Sequence, residues 1–183
     1  LEGPFASPHD LCAQPPVAIS PGPDRVAQMP ATDCVHGVTL APELEHAESA
    51  IAAFSEAGVR GSLGHTTANY ETAERAICAI CAAGGTPGGT HLFNAMAPIS
   101  SRKPGPVTAL MCSDAYAELI FDTHHVHPAT FKLAHKVMGD RLLFVTDAMR
   151  ATGLPEGPSQ LGGQDVAVKD GAVRPPDGSL AGS

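Results

Sequence analysis

Four side chains suited to a hydrolytic metal site recur at one kind of place in this sequence. Glu2 in Leu1-Glu2-Gly3-Pro4-Phe5, His65 in Gly64-His65-Thr66, His91 in Thr90-His91-Leu92-Phe93 and Asp147 in Val145-Thr146-Asp147 each stand just after a short β-like run. An isolated histidine is most simply a core residue with both ring nitrogens hydrogen-bonded, and an aspartate after a strand most simply caps the next turn. Two imidazoles at matching strand ends, with a carboxylate available as third ligand, favour another reading. Two nitrogens and one oxygen suit a zinc-type centre that leaves a position open for water. A second carboxylate beside such a cation can take a proton from water and return it to a leaving nitrogen.

Strand ends converge only if the chain between them returns in the same direction each time, which demands alternating β and α elements. Residues 35–40 and 59–64 read as strands. Between them, 43–57 places Leu44, Ala47, Ile51 and Phe54 at helical spacing, with Gly58 closing the run. Asn69 can cap a helix reaching about Ala83, with Ala73, Ala76, Ile77 and Ile80 on one face. Residues 90–93, 117–121 and 142–146 read as further strands and 107–112 as a short helix. A last helix is opened by Pro128 and closed by Gly139. This is an α/β pattern with a parallel sheet, either open and doubly wound or closed into a barrel. No Gly-x-Gly-x-x-Gly follows a strand, so a dinucleotide-binding sheet has no support, and polar residues at strand C-termini fit the barrel.

After Gly153 the texture changes. Val166 and Val168 alternate with other residues, Asp170-Gly171 and Asp177-Gly178 read as turns, and Pro175-Pro176 forbids a helix, so this tail reads as β-hairpin structure. The Pro-rich stretch 7–30 reads as a long loop, either a lid over the site or a disordered surface excursion.

A length of 183 residues suggests one domain, and a net charge of −8 argues against nucleic-acid partners and anionic membrane surfaces. No apolar run approaches the roughly 18 residues that span a bilayer, and no basic segment with an apolar run opens the chain, so a cytoplasmic protein is expected. The chain begins without Met, inside what reads as a strand end, as an internal piece of a longer protein would. Five cysteines argue against a complete disulfide framework. Cys78 and Cys81 lie in an Ala/Ile-rich helical run, without a second Cys-x-x-Cys, and are expected to be buried or half-buried helix residues.

The motifs Leu-Glu-Gly-Pro-Phe, Gly64-His65-Thr66 with Ala68 and Tyr70, Thr-His-Leu-Phe-Asn-Ala-Met and Ser-Arg-Lys-Pro-Gly are followed by Asp122-Thr-His-His-Val-His-Pro, Val-Thr-Asp-Ala-Met and Leu-Ala-Gly-Ser. In this order they resemble the N-acetylglucosamine-6-phosphate deacetylases of the amidohydrolase superfamily, over nearly the whole chain. The resemblance implies a (β/α)8 TIM barrel of the metal-dependent hydrolase type, incomplete here with about six of eight strands, the other two lying before Leu1. With the change of texture after Gly153, the chain divides into a partial barrel over 1–153 and a β-hairpin-rich rim segment over 154–183. The resemblance implies Glu2, His65 and His91 as ligands of a divalent metal, Zn2+ or alternatively Fe2+, and Asp147 as the proton shuttle. Arg102 aligns with a phosphate-contacting arginine, Asn94 and Ala95 with backbone substrate contacts, and His125 with a substrate-contacting histidine. Leu180, Ala181 and Gly182 match a closing substrate segment.

The implied reaction releases acetate from N-acetylglucosamine 6-phosphate, in an intact enzyme expected to be a homodimer. The competing readings are an amidohydrolase for a different N-acyl sugar, and a non-catalytic sugar-phosphate-binding or inactive fragment. His124 and His127 are read as surface or packing residues. Two departures stand out. Ala6-Ser7-Pro8-His9 replaces the family's usual Lys-Gly-Ala-His run, and about five extra residues around Gly84 to Gly89 directly precede His91, where a one-residue slip would turn its side chain to the wrong face.

Overall fold

In the strands over residues 37–40 and 60–63 a hydroxyl-bearing residue precedes a leucine, and this alternation sorts the two faces of the sheet there. The computed structural model describes residues 1–9, 19–29, 34–176 and 178–182. Strands β1 (Glu2–Phe5), β2 (Gly37–Leu40), β3 (Arg60–Leu63), β4 (Gly88–Gly89), β5 (Tyr116–Ile120) and β6 (Leu142–Val145) form one sheet in that spatial order, every pair parallel. Helices α1 (Pro23–Gln28), α2 (Ala47–Glu56), α3 (Tyr70–Ala82), α4 (Gly105–Cys112) and α5 (Pro128–Met138) connect them, each packing on the next. A sheet whose spatial order equals its chain order is wound in one direction and carries its helices as a single layer.

Register aligns like with like. Leu40 of β2 stands beside Leu63 of β3, both fully buried against Ile51, Phe54 and Ile80 of the helices, while Thr39 stands beside Ser62 on the opposite face. Burying each such aliphatic or aromatic side chain contributes about 1.5–3 kcal/mol, so the helix layer supplies most of the core. The helix faces match the sequence pattern: Ala73, Ala76, Ile77 and Ile80 of α3 are all buried, and Asn69 Oδ1 accepts a hydrogen bond from Thr72 N at 2.8 Å. Pro128 begins α5, where a missing N–H costs nothing, and Gly139 at φ +56° ends it.

Several expectations need correction. Residues 90–93 are not a strand: His91 and Phe93 have positive φ (34° and 78°), which a strand cannot accommodate. The strand is instead Gly88–Gly89, inside the extra segment, where weak β propensity hid it. These glycines answer to packing, since a Cβ on Gly89 would fall 2.6 Å from Leu110 Cδ1 of α4. Within the stretch read as a long loop, residues 23–28 form α1, whose Val26 is buried in the core against α2, so neither a lid nor a disordered excursion describes them. Asp10 to Ala18 and Pro30, in the same stretch, lie outside the described residues. Cys78 and Cys81 are helical as expected but exposed, because the buried stripe of α3 runs through Ile77 and Ile80 and turns both thiols outward. Glu2 is the first residue of β1 itself rather than the residue after a strand.

The tail forms a three-stranded antiparallel sheet, β7 (Gly157–Leu161), β8 (Gln164–Lys169) and β9 (Ala172–Arg174). Asp170-Gly171 makes the expected turn between β8 and β9, both residues at positive φ, while Gly162-Gly163 makes an unforeseen one between β7 and β8. Gly178 N donates to Pro175 O at 3.0 Å across the second expected turn, whose Asp177 lies outside the described residues.

Candidate metal centre and its cavity

Strands β3, β4 and β6 end at Leu63, Gly89 and Val145, and two residues beyond each end the chain turns left-handed. His65, His91 and Asp147 carry φ of 48°, 34° and 49°. For a residue with a Cβ this conformation costs about 1–3 kcal/mol, and it persists only where the surroundings over-determine it. Repeated at three strand tips, it swings each side chain off its strand into one shared space. Glu2 enters that space from β1.

The three proposed ligands converge. Glu2 Oε1 lies 2.7 Å from His65 Nε2 and 3.0 Å from His91 Nε2, and the two Nε2 atoms are 3.2 Å apart. Both histidines are buried, 3% and 4% exposed, with rings edge-on at 81°. Donors sharing one zinc at roughly 2.0–2.2 Å stand roughly 3.3 Å apart, so these separations fit a single ion with little movement. The ring orientation fits as well. His91 Nδ1 lies 3.1 Å from the Asn94 carbonyl, which can only accept; Nδ1 therefore carries a proton, and Nε2 is the nitrogen turned toward Glu2 and His65. Two imidazole nitrogens directed at one carboxylate oxygen are a donor set that one divalent cation could share. Among the described residues this is the only such group of three.

Charge follows geometry. Burial alone would raise the Glu2 carboxyl, but hydrogen bonds from His65 and His91, with their charges, outweigh it and hold the group well below the usual carboxylate range. Burial would lower His91, yet the bond to Glu2, its charge and then that of Asp147 raise it. Asp147 moves the other way from Glu2: burial, then the Glu2 charge, push its carboxyl up against the pull of His91, His125 and His65.

These groups open on a cavity of about 470 Å³. Its lining includes Glu2, His65, His91, Asn94, Ala95, His125, Asp147, Leu180, Ala181 and Gly182, every candidate from the sequence except Arg102. Arg102 sits on the exposed loop before α4, outside this lining. His125 is aimed by a neighbour: its Nδ1 donates to Asp122 Oδ2 at 2.6 Å, and Asp122 Oδ1 accepts from the backbone N–H of His124 and His125. Burial would raise Asp122, but these bonds, the His125 N–H first, hold it down at about 2. His124 is exposed, and His127 caps α5 by accepting from Ala129 N at 3.1 Å. The last described segment closes over Asp147: Ala181 N donates to Val173 O at 3.0 Å, and a Cβ on Gly182 would fall 2.7 Å from Asp147 O.

Sequence reasoning missed Asp122 as an orienting residue, although an aspartate three residues before a histidine was a signal for it. It also missed Phe93, Ile120, Met149 and Leu161 in the cavity wall, which no spacing could have singled out. Glu43 was missed too. Its carboxylate accepts from Thr66 Oγ1 at 2.5 Å and from Thr67 N at 2.7 Å, clamping the turn that follows His65.

The chain has solved structural counterparts. An aspartate-to-alanine variant of the N-acetyl-D-glucosamine-6-phosphate deacetylase from Mycobacterium smegmatis, in complex with N-acetyl-D-glucosamine-6-phosphate, superimposes with a TM-score of 0.89 at 37% identity, covering 100% of this chain and 48% of that one. The N-acetylglucosamine-6-phosphate deacetylase of Lysinibacillus sphaericus is 38% identical over 188 residues, all of this chain and 47% of the relative. The chain is a homologue of the N-acetylglucosamine-6-phosphate deacetylases. An N-acetylgalactosamine-6-phosphate deacetylase from Escherichia coli O157:H7 is also 38% identical, over 189 residues and 48% of its length. The chain thus spans about half the length of the relatives it matches. No protein-family model matches it.

Proposed function

We propose that the intact protein hydrolyses the acetamide of N-acetylglucosamine 6-phosphate, giving glucosamine 6-phosphate and acetate. The observation that carries this is Glu2 Oε1 shared by two buried imidazole nitrogens at the mouth of a cavity that also holds Asp147 and His125. Glu2, His65 and His91 would hold a divalent cation, Zn2+ or Fe2+. When bound, it supplies Lewis acidity toward water and the acetyl carbonyl. Asp147, its carboxylate made more basic by burial and the Glu2 charge, takes the proton from the attacking water and returns it to the leaving nitrogen. His125, its Nδ1 engaged by Asp122, presents Nε2 to the sugar, and the backbone at Asn94 and Ala95 orients it. Residues 180–182 close over the bound sugar. Arg102 is the phosphate contact in this reading, since a protein of net charge −8 needs a local guanidinium for a dianion.

The one-way winding of six strands supports a TIM barrel completed by two strands outside this chain, with 1–153 as barrel and 154–183 as rim. Beyond β6, which has no further partner among the described residues, Phe121, Phe131 and Phe144 cluster with centroids 4.4 to 6.0 Å apart, and Phe121 and Phe144 are exposed. Additional strands would cover them. No helix among the described residues is long and apolar enough to cross a membrane. The reading is of a cytoplasmic homodimer acting on a small sugar phosphate, with no nucleic-acid or membrane partner. The galactosamine relative favours assaying the 4-epimer alongside.

The test is acetate release by the intact protein from both phosphosugars, before and after chelation. Metal-dependent release, with Arg102→Ala raising KM for the phosphorylated sugar far more than for N-acetylglucosamine, is expected. Sugar-phosphate binding without acetate release would establish the non-catalytic alternative.

A further inference from the structure

β4 consists of Gly88 and Gly89 alone, so the strand leading to His91 has no side chain of its own to hold its register. The first side chain after it is Thr90, 5% exposed. Its Oγ1 lies 2.9 Å from Thr39 Oγ1 and 2.7 Å from Ser62 Oγ. Thr39 belongs to β2 and Ser62 to β3, so one hydroxyl ties three consecutive strands together. Thr39 and Thr90 are two strands apart and meet over Gly64, where a Cβ would fall 2.8 Å from Thr39 Cγ2 and 2.9 Å from Thr90 Cβ. Gly64 immediately precedes His65, as Thr90 immediately precedes His91.

The backbone alone does not specify this alignment. Thr90 N donates to Leu63 O at 2.9 Å, but parallel ladder bonds re-form after a slip, whereas three hydroxyls meeting across a glycine do not. We infer that Thr90, bonded to Thr39 and Ser62 across Gly64, is a positioning residue that sets the register and spacing of His65 and His91. Its consequence for metal rests on the metal-site reading above. Each hydroxyl can donate once and accept, so Thr90 Oγ1 can donate to one of its two neighbours while accepting from the other.

Thr90→Val keeps the shape and removes the hydroxyl, Thr90→Ser keeps the hydroxyl, and Gly64→Ala drives a methyl between the two threonines. In the intact protein, zinc affinity by chelator competition, the ring geometry of metal-free crystals and melting temperature are compared. Zinc affinity should fall about 10- to 100-fold in Thr90→Val and Gly64→Ala, as for loss of an outer-shell partner, and return in Thr90→Ser. The Nε2 to Nε2 separation should leave 3.2 Å in Thr90→Val but not in Thr90→Ser. Ser62→Ala, removing one arm, should shift both readouts the same way by less, and stands in if Thr90→Val does not fold. Wild-type zinc affinity with both rings in place overturns the proposal, and so does a lowered melting temperature with unchanged affinity and rings. Should the unmodified protein take up no zinc, the metal-site reading fails, and ring geometry alone then decides the role of Thr90.

Discussion

Two groups of histidines face the same end of the sheet and have different fates. His65 and His91 follow strands directly, are almost wholly buried, and share one carboxylate oxygen of Glu2. His124, His125 and His127 crowd the loop after β5, where each is engaged separately: His125 by Asp122, His127 by the first turn of α5, and His124 exposed with only its backbone N–H tied to Asp122. Sharing is what brings three candidate ligand atoms together. A private carboxylate engages one histidine and merely aims it, whereas a shared one draws two imidazole nitrogens to a single oxygen and leaves three donor atoms within reach of one another. Residue type is identical in the two groups, so backbone geometry and partner count decide the chemistry.

The comparison breaks most visibly at the shared group. His65→Ala or His91→Ala should strip the metal and abolish turnover, with affinity falling by more than the roughly 10- to 100-fold that an outer-shell loss costs. Bound metal measured by atomic absorption checks this, and full occupancy in both variants would sink the ligand assignment. Next in size is Asp147→Asn, which keeps shape and removes the shuttle. Metal and substrate binding should survive while kcat falls about 10² to 10⁴-fold. A near-normal kcat would reduce Asp147 to a turn residue.

In the private group the effects should be smaller and of another kind. Asp122→Asn leaves His125 in place but frees its ring, so KM should rise several-fold while bound metal stays constant. Because Asp122 is held down at about 2, its support of this loop is complete above its ordinary range near pH 4 and fades as pH falls toward 2. Histidine ring resonances followed by NMR on acidification would show whether the loop loosens in that window or earlier. Smallest of all, His127→Ala should cost about 1 kcal/mol through the lost cap of α5 and leave kinetics untouched, as thermal denaturation and a steady-state assay would show. A kinetic effect there would blur the distinction between the two groups.

Part of the site was legible in the sequence because His65 and Asp147 stand just past short strand-like runs, while Glu2, inside β1, and His91, behind Gly88–Gly89, were marked by the motifs around them. The α3 stripe and its Asn69 cap were legible because local periodicity and one polar side chain suffice. What was not legible involved neighbours distant in sequence. Gly88–Gly89 reads as a loop until Leu110 of α4 shows why no side chain fits there. α1 reads as a Pro-rich loop because six residues with a single buried valine carry too little pattern, and packing on α2 supplies the rest. Arg102 was singled out for its charge, a property that says nothing about whether its loop reaches the cavity.

By itself the sequence determined the βα alternation, the residue types at the strand tips and the polarity of the cavity that they imply, since all three depend on local spacing along the chain. Only the tertiary structure decided that Glu2 is shared, that Asp122 aims His125, and that the Thr90 hydroxyl meets those of Thr39 and Ser62. The first and last of these join residues from separate strands. Even the Asp122 contact, only three residues apart, depends on the turn the chain makes there, because hydrogen bonds are set by angles and ångströms that spacing along a chain does not encode.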